Sequence, residues 1–118
     1  MSPNQLEPER QWRIQRSFPR FALELPVSFA ETREGEPTIM GTMVDVGLGG
    51  LCAALPNIEL HPRQKLFVGF RFEGHAELIK VRVMVRHHEG DRYGFQFLDI
   101  TPDQRNQIRM ACQGLQII

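Results

Sequence analysis

The sequence predicts an antiparallel all-β domain, a barrel or a sandwich, carrying a single α-helix at its C-terminal end. Three observations predict it. Apolar residues alternate with polar ones over several short stretches, the period of a half-buried strand. The stretches are separated by short turns without helical patterns between them, which argues against parallel βαβ units. A helical period appears only once, after Thr101.

The clearest strand is FALELPVSF, where Phe21, Leu23, Leu25, Val27 and Phe29 share one face and Ala22, Glu24, Pro26 and Ser28 the other. Pro26 on the outward set predicts an edge position or a bulge, since proline donates nothing to a ladder. AETREGEP then reads as a loop, TIMGTMVDV as a second strand, VGLGG as a corner and LCAAL as a short apolar third. After the loop PNIELHPRQK, LFVGFRF turns Leu66, Val68, Phe70 and Phe72 inward. ELIKVRVMVRH does the same with Ile79, Val81, Val83 and Val85, leaving Lys80, Arg82, Met84 and Arg86 outside. HEGD is a hairpin signal, followed by RYGFQFLDI with Tyr93, Phe95 and Phe97 on one face. Thr101, Pro102, Asp103 and Gln104 then form a capping box with proline at the first helical position. Ile108, Ala111, Cys112 and Leu115 follow at helical spacing, so one amphipathic helix over about 102–113 should lie against the strands or cover an open end.

A chain of 118 residues argues for one domain. Residues 16–115 are expected to form it, after a flexible tail over 1–15 that contains two prolines and no clear period. Apolar residues make up 42% and charged residues 24%, a balance that permits a packed core. No run of apolar residues is long enough to span a membrane, and the opening MSPNQLEPERQW lacks the apolar core of a signal peptide. Cys52 and Cys112 stand far apart in sequence without a CxxC, consistent with a reduced, cytoplasmic protein. The formal net charge is +0, so general attraction to nucleic acid is not expected, and the inward aromatics leave no stacking platform for single strands.

No enzymatic constellation emerges. His87 and His88 are adjacent on a strand and point to opposite faces, so they cannot jointly hold an ion, and no metal site is expected. The acidic residues are scattered without a pair suited to acid–base work. Asp45-Val46-Gly47-Leu48-Gly49-Gly50 is not a GxGxxG phosphate loop, and no helical pattern follows it. Its glycines are expected at a sharp corner requiring positive φ. Asp45 at the strand end is left without a structural reason.

Of the fourteen basic residues twelve are arginine, and Arg10, Arg13, Arg16 and Arg20 crowd into eleven positions that contain no acid. Arginine forks onto the O6/N7 edge of guanine and onto phosphate oxygens. Aspartate accepts from the N1–H and N2–H2 donors of the opposite guanine edge, and backbone N–H groups at a glycine turn cradle anions. Together these half-sites suit a ligand that carries guanines and phosphates at once. Arg82 and Arg86 read as a solvent-facing strand edge, with an extension of that pocket as the alternative.

Arg16-Ser17-Phe18-Pro19-Arg20, running straight into FALELPVSF, resembles the RxxxR motif of PilZ domains. Asp45-Val46-Gly47-Leu48-Gly49-Gly50 is similar to their second motif, [DN]xSxxG, and YGFQFLDITPDQRNQIR resembles their last strand and C-terminal helix. The likeness runs from about residue 13 to 113. It implies a six-stranded antiparallel β-barrel with a C-terminal helix, in a bacterial receptor for the second messenger cyclic di-GMP. By the family pattern Arg16 and Arg20 would wrap the ligand, Asp45 would read a guanine edge, and Gly50 would permit the close turn. Gly47 stands where the pattern has serine, removing one hydroxyl contact of ~0.5–1.5 kcal/mol, whereas each charge-assisted contact retained is valued at ~1.5–3 kcal/mol. Weakened rather than abolished binding is the expectation, and Gly47→Ser is expected to preserve or tighten it. The leading function is therefore a non-enzymatic cyclic di-GMP receptor that orders its arginine segment and signals to a protein effector. The alternative is an interaction module on the same barrel that does not bind the nucleotide.

Overall fold

The computed structural model describes residues 18–118; the expected tail, together with Arg10, Arg13 and Arg16, lies outside the described residues. Six strands form in the order read from the sequence: β1 (Arg20–Ala30), β2 (Ile39–Gly47), β3 (Gly50–Ala54), β4 (Lys65–Phe70), β5 (Ile79–Glu89) and β6 (Arg92–Phe97). They close in the order β1-β2-β3-β6-β5-β4, every neighbouring pair antiparallel. Closure through the β1–β4 pairing makes the domain a barrel rather than a sandwich, and leaves little edge open to other chains.

The inward alternation holds along the strands except at the β2 bulge, where Met43 and Val46 are both buried. Val27, Phe29, Val68, Val81, Val83 and Phe95 are all buried, and the Phe29 and Phe95 rings meet at 4.7 Å between centroids. Tyr93 is the largest fully buried side chain among the described residues. Its hydroxyl donates to the Ile58 carbonyl at 3.0 Å and accepts from the Leu60 amide at 3.2 Å, so the phenol is satisfied inside the core. It thereby fastens part of the long 55–64 connection to the barrel.

Pro26 opposes Thr42 on β2, whereas the β1–β4 pairing covers only Ser28, Phe29 and Ala30. The proline thus occupies the part of β1 that β4 does not reach. The open edge at the start of β1 is covered instead by the C-terminal segment. The Ala22 amide donates to the Gln116 carbonyl and the Ile118 amide to the Arg20 carbonyl, both at 2.9 Å, with Phe21 bridging Ile117.

The helix α1 (Pro102–Ala111) starts at the expected capping box. The Gln104 amide donates to the Thr101 hydroxyl at 3.1 Å, and the Gln104 side chain accepts from the Thr101 amide at 3.0 Å. Ile108 and Cys112 enter the same core as the strands, with Ala111 and Leu115 packed against it. Burial pushes the Cys112 thiol up from its ordinary value by disfavouring the charged form.

Candidate functional site

β1 and β2 meet with Arg20 opposite Gly47 and Ala22 opposite Asp45, so Arg20 and Asp45 lie diagonally across one face. Val46, between Asp45 and Gly47, is fully buried, which puts that shared face on the outside of the barrel. Two register shifts adjoin the site, one between Ala22 and Leu25 and the other between Met43 and Asp45. Bulges bend a strand and re-aim its side chains, and these two flank the point where Asp45 turns outward.

The Arg20 Nη1 donates to Asp45 Oδ1 at 2.9 Å. With side chains only 14% and 16% exposed, the two charges are largely withdrawn from water, unlike the open Arg33–Asp99 pair at 51% and 43%. A charge-assisted bond in such surroundings is stronger than a neutral one. The backbone of Arg20 is fixed as well, since its carbonyl accepts from Ile118.

None of Gly47, Gly49 or Gly50 has positive φ, contrary to the expected corner; that conformation belongs to Gly74, Gly90 and Gly114. The three glycines are needed for close approach instead. A Cβ on Gly50 would overlap the Phe95 carbonyl oxygen across β6 and lie 3.3 Å from Arg20 Nη2. On Gly47 it would overlap the Pro19 carbonyl oxygen and lie 3.1 Å from Arg20 Cδ, and on Gly49 it would meet the Phe18 ring at 3.1 Å. The chain before β1 is therefore laid along the glycines, Phe18 on Gly49 and Pro19 on Gly47. A serine at position 47 would have to displace the Pro19 backbone with its Cβ.

Of the sequence-predicted residues, Arg20, Asp45, Gly47 and Gly50 come together on one outer surface; Arg16 lies outside the described residues. Phe18 and Pro19 were not singled out as site residues. Their signal was available in their position between the two arginines of RSFPR, but the glycines they cover are named only by the tertiary structure. Among the described residues no group of three or more His, Cys, Asp or Glu side chains could hold a metal, and no helix is long and apolar enough to cross a membrane.

The arrangement has a specific chemical capacity. The N1–H and N2–H2 edge of guanine is itself a guanidine fragment, and Asp45 already accepts from a guanidinium. A carboxylate placed to hold arginine in this way is placed to hold that edge of guanine.

The PilZ domain family model matches residues 14–114, and the chain belongs to that family. Solved structures share the fold at low identity. The Bacillus subtilis inhibitor of motility MotI/DgrA superposes with a TM-score of 0.70 at 17% identity, over 84% of this chain and 49% of its own. The PilZ domain of Escherichia coli YcgR with c-di-GMP gives 0.65 at 16%, over 86% and 91%. The PilZ domain of CeSA from a cellulose-synthesizing bacterium gives 0.59 at 16%, over 80% and 95%. The chain thus spans about half the length of MotI/DgrA. No curated relative matches it.

Proposed function

We propose that the protein is a non-enzymatic receptor for cyclic di-GMP that acts as a bacterial, cytoplasmic adaptor. The observation that carries this reading is the convergence of Arg20, Asp45, Gly47 and Gly50 on one outer face. It gains support from membership of the PilZ family and from the likeness to a YcgR domain described with c-di-GMP.

In this mechanism a guanine takes the place of the Arg20 guanidinium on Asp45. The displaced arginine turns to a phosphate or to the O6/N7 edge of a base. Exchange of one guanidine-like donor for another keeps the carboxylate satisfied, so the step avoids leaving a desolvated charge unpaired. Arg16 supplies the second arm of the clasp. Movement of Arg20 draws on Phe18 and Pro19, which lie on the glycines beneath it, and changes the surface offered to a protein effector.

Titration calorimetry with cyclic di-GMP is the test. A saturable heat is expected, with the affinity weakened in Arg20→Ala and in Asp45→Ala. No heat at about 100 μM ligand, enough to fill a site of micromolar Kd, overturns the reading. A second reading, an interaction module indifferent to the nucleotide, is favoured by one observation: Pro19 fills the space beside Gly47 that a serine side chain would use. A pull-down whose bound proteins are unchanged by cyclic di-GMP would support that alternative.

A further inference from the structure

The outer face that carries Arg20 and Asp45 does not stop at β3. Gly50 opposes Gln96 on β6, and Gln96 opposes Met84 on β5, so the same row of outward positions runs on around the barrel. The next row leads from Asp45 to Cys52 and from Cys52 to Gly94. There the β5–β6 register shifts between Val85 and His87, the mark of a bulge, so that Arg86 and His87 both fall against Gly94. The His87 ring lies directly on Gly94, where a Cβ would overlap it. Arg86 Nη1 donates to Gln96 Oε1 at 2.7 Å, which draws the guanidinium back toward β6 and the glycine surface.

Resting on the receptor reading, we propose that Arg86, aimed by Gln96, is a second base-reading residue and takes the O6/N7 edge of the other purine of a cyclic dinucleotide. Three features carry it. On the row from Asp45 through Cys52 to Gly94 the intervening side chain, Cys52, is small, and the His87 ring lies on Gly94 beside Arg86. The separation from Gly50 to β5 is two strand spacings, about 10 Å, a span suited to a macrocycle carrying two bases. Arg86 remains exposed, and one bond to Gln96 leaves most of its five donors available. Arg82, further along the same strand, is a different case. Its position opposes Phe67 on β4, away from the glycines, and its amide is held by Asp99.

The test compares cyclic di-GMP with the hybrid cyclic GMP–AMP by calorimetry, on the full chain and on Arg86→Ala, Arg86→Lys and Arg82→Ala. The hybrid can place its guanine on Asp45 and must then offer adenine to Arg86, where an N6–H2 donor replaces the O6 acceptor. The unaltered protein should prefer cyclic di-GMP by about tenfold to a hundredfold, the worth of one bidentate base contact. Arg86→Ala should lose that preference by weakening cyclic di-GMP alone. Arg86→Lys should lose most of it too, since an ammonium keeps the charge but not the fork. Arg82→Ala should bind both ligands as the unaltered protein does. Equal weakening of both ligands in Arg86→Ala overturns the base-reading role in favour of a phosphate contact, and unchanged affinities overturn any contact. In both cases the receptor reading stands. Failure of the unaltered protein to bind either ligand ends both. Unchanged thermal unfolding of the variants confirms that binding, not folding, is being read.

Discussion

The β4–β5–β6 wall and the β1–β2–β3 corner are built from the same antiparallel ladder, yet different forces hold them. In the wall, Val68, Val81, Val83 and Phe95 fill the interior by side-chain packing. In the corner, backbone passes so close to backbone that Gly47 and Gly50 admit no side chain, and an ion pair ties the outer face together. Packing makes a region rigid for its own sake. Close approach with a withdrawn charge pair makes a surface that stays low and polar, and whose donors can be exchanged for those of a ligand.

The sharpest way to break this contrast is at its extremes. Phe29→Ala, which removes a ring packed at a tilt on Phe95, should cost about 3–5 kcal/mol in urea unfolding. Ligand affinity measured well below the transition should hardly change. Arg20→Ala should do the opposite: cyclic di-GMP binding falls by about 1.5–3 kcal/mol, roughly 12- to 160-fold, with a smaller loss of stability. If Arg20→Ala unfolds the protein as Phe29→Ala does, the corner is structural and the comparison fails.

Gly50→Ala tests close approach directly. The methyl has to push β3 from the Phe95 carbonyl, and a loss of about 1–3 kcal/mol is expected in the same unfolding measurement. Gly47→Ser should disturb less, because its obstacle is the Pro19 carbonyl in a terminal segment rather than a paired strand. Faster hydrogen exchange at Phe18 and Arg20, with β2 protection kept, is the signature. The smallest effect concerns Cys112. Its raised thiol value means the unfolded chain ionises first, so this residue's contribution is complete below the ordinary value of 9.0 and is lost as pH rises through the folded value. The difference in urea midpoint between about pH 8 and about pH 10 should therefore be larger for the natural protein than for Cys112→Ala.

Much of this was legible from residue order. The period of two in FALELPVSF and ELIKVRVMV placed the core side chains correctly, because a strand that is buried on one face leaves no other register open to it. The capping box at Thr101 announced the helix start for a local reason, a hydroxyl and an amide within three residues of each other. The site was half legible: the guanine-and-phosphate logic singled out Arg20 and Asp45, but nothing in the pattern said that they would bond to one another. The glycines were read for their freedom of φ, when they serve the closeness of Pro19 and Phe95. Those neighbours come from elsewhere in the chain.

What the sequence determined by itself was therefore everything governed by local period and short-range hydrogen bonding: strand faces, turns, the helix cap, and the chemical types present at the arginine segment and the aspartate corner. Periodicity alone left barrel and sandwich open, and the likeness to PilZ domains chose the barrel that the structure shows. Only the tertiary structure decided the pairing of Arg20 with Asp45 and the alignment of Gly50, Gln96 and Arg86 on one surface. Closure, bulges and cross-strand register are set by contacts between segments distant in sequence, and such contacts exist only once the strands have packed.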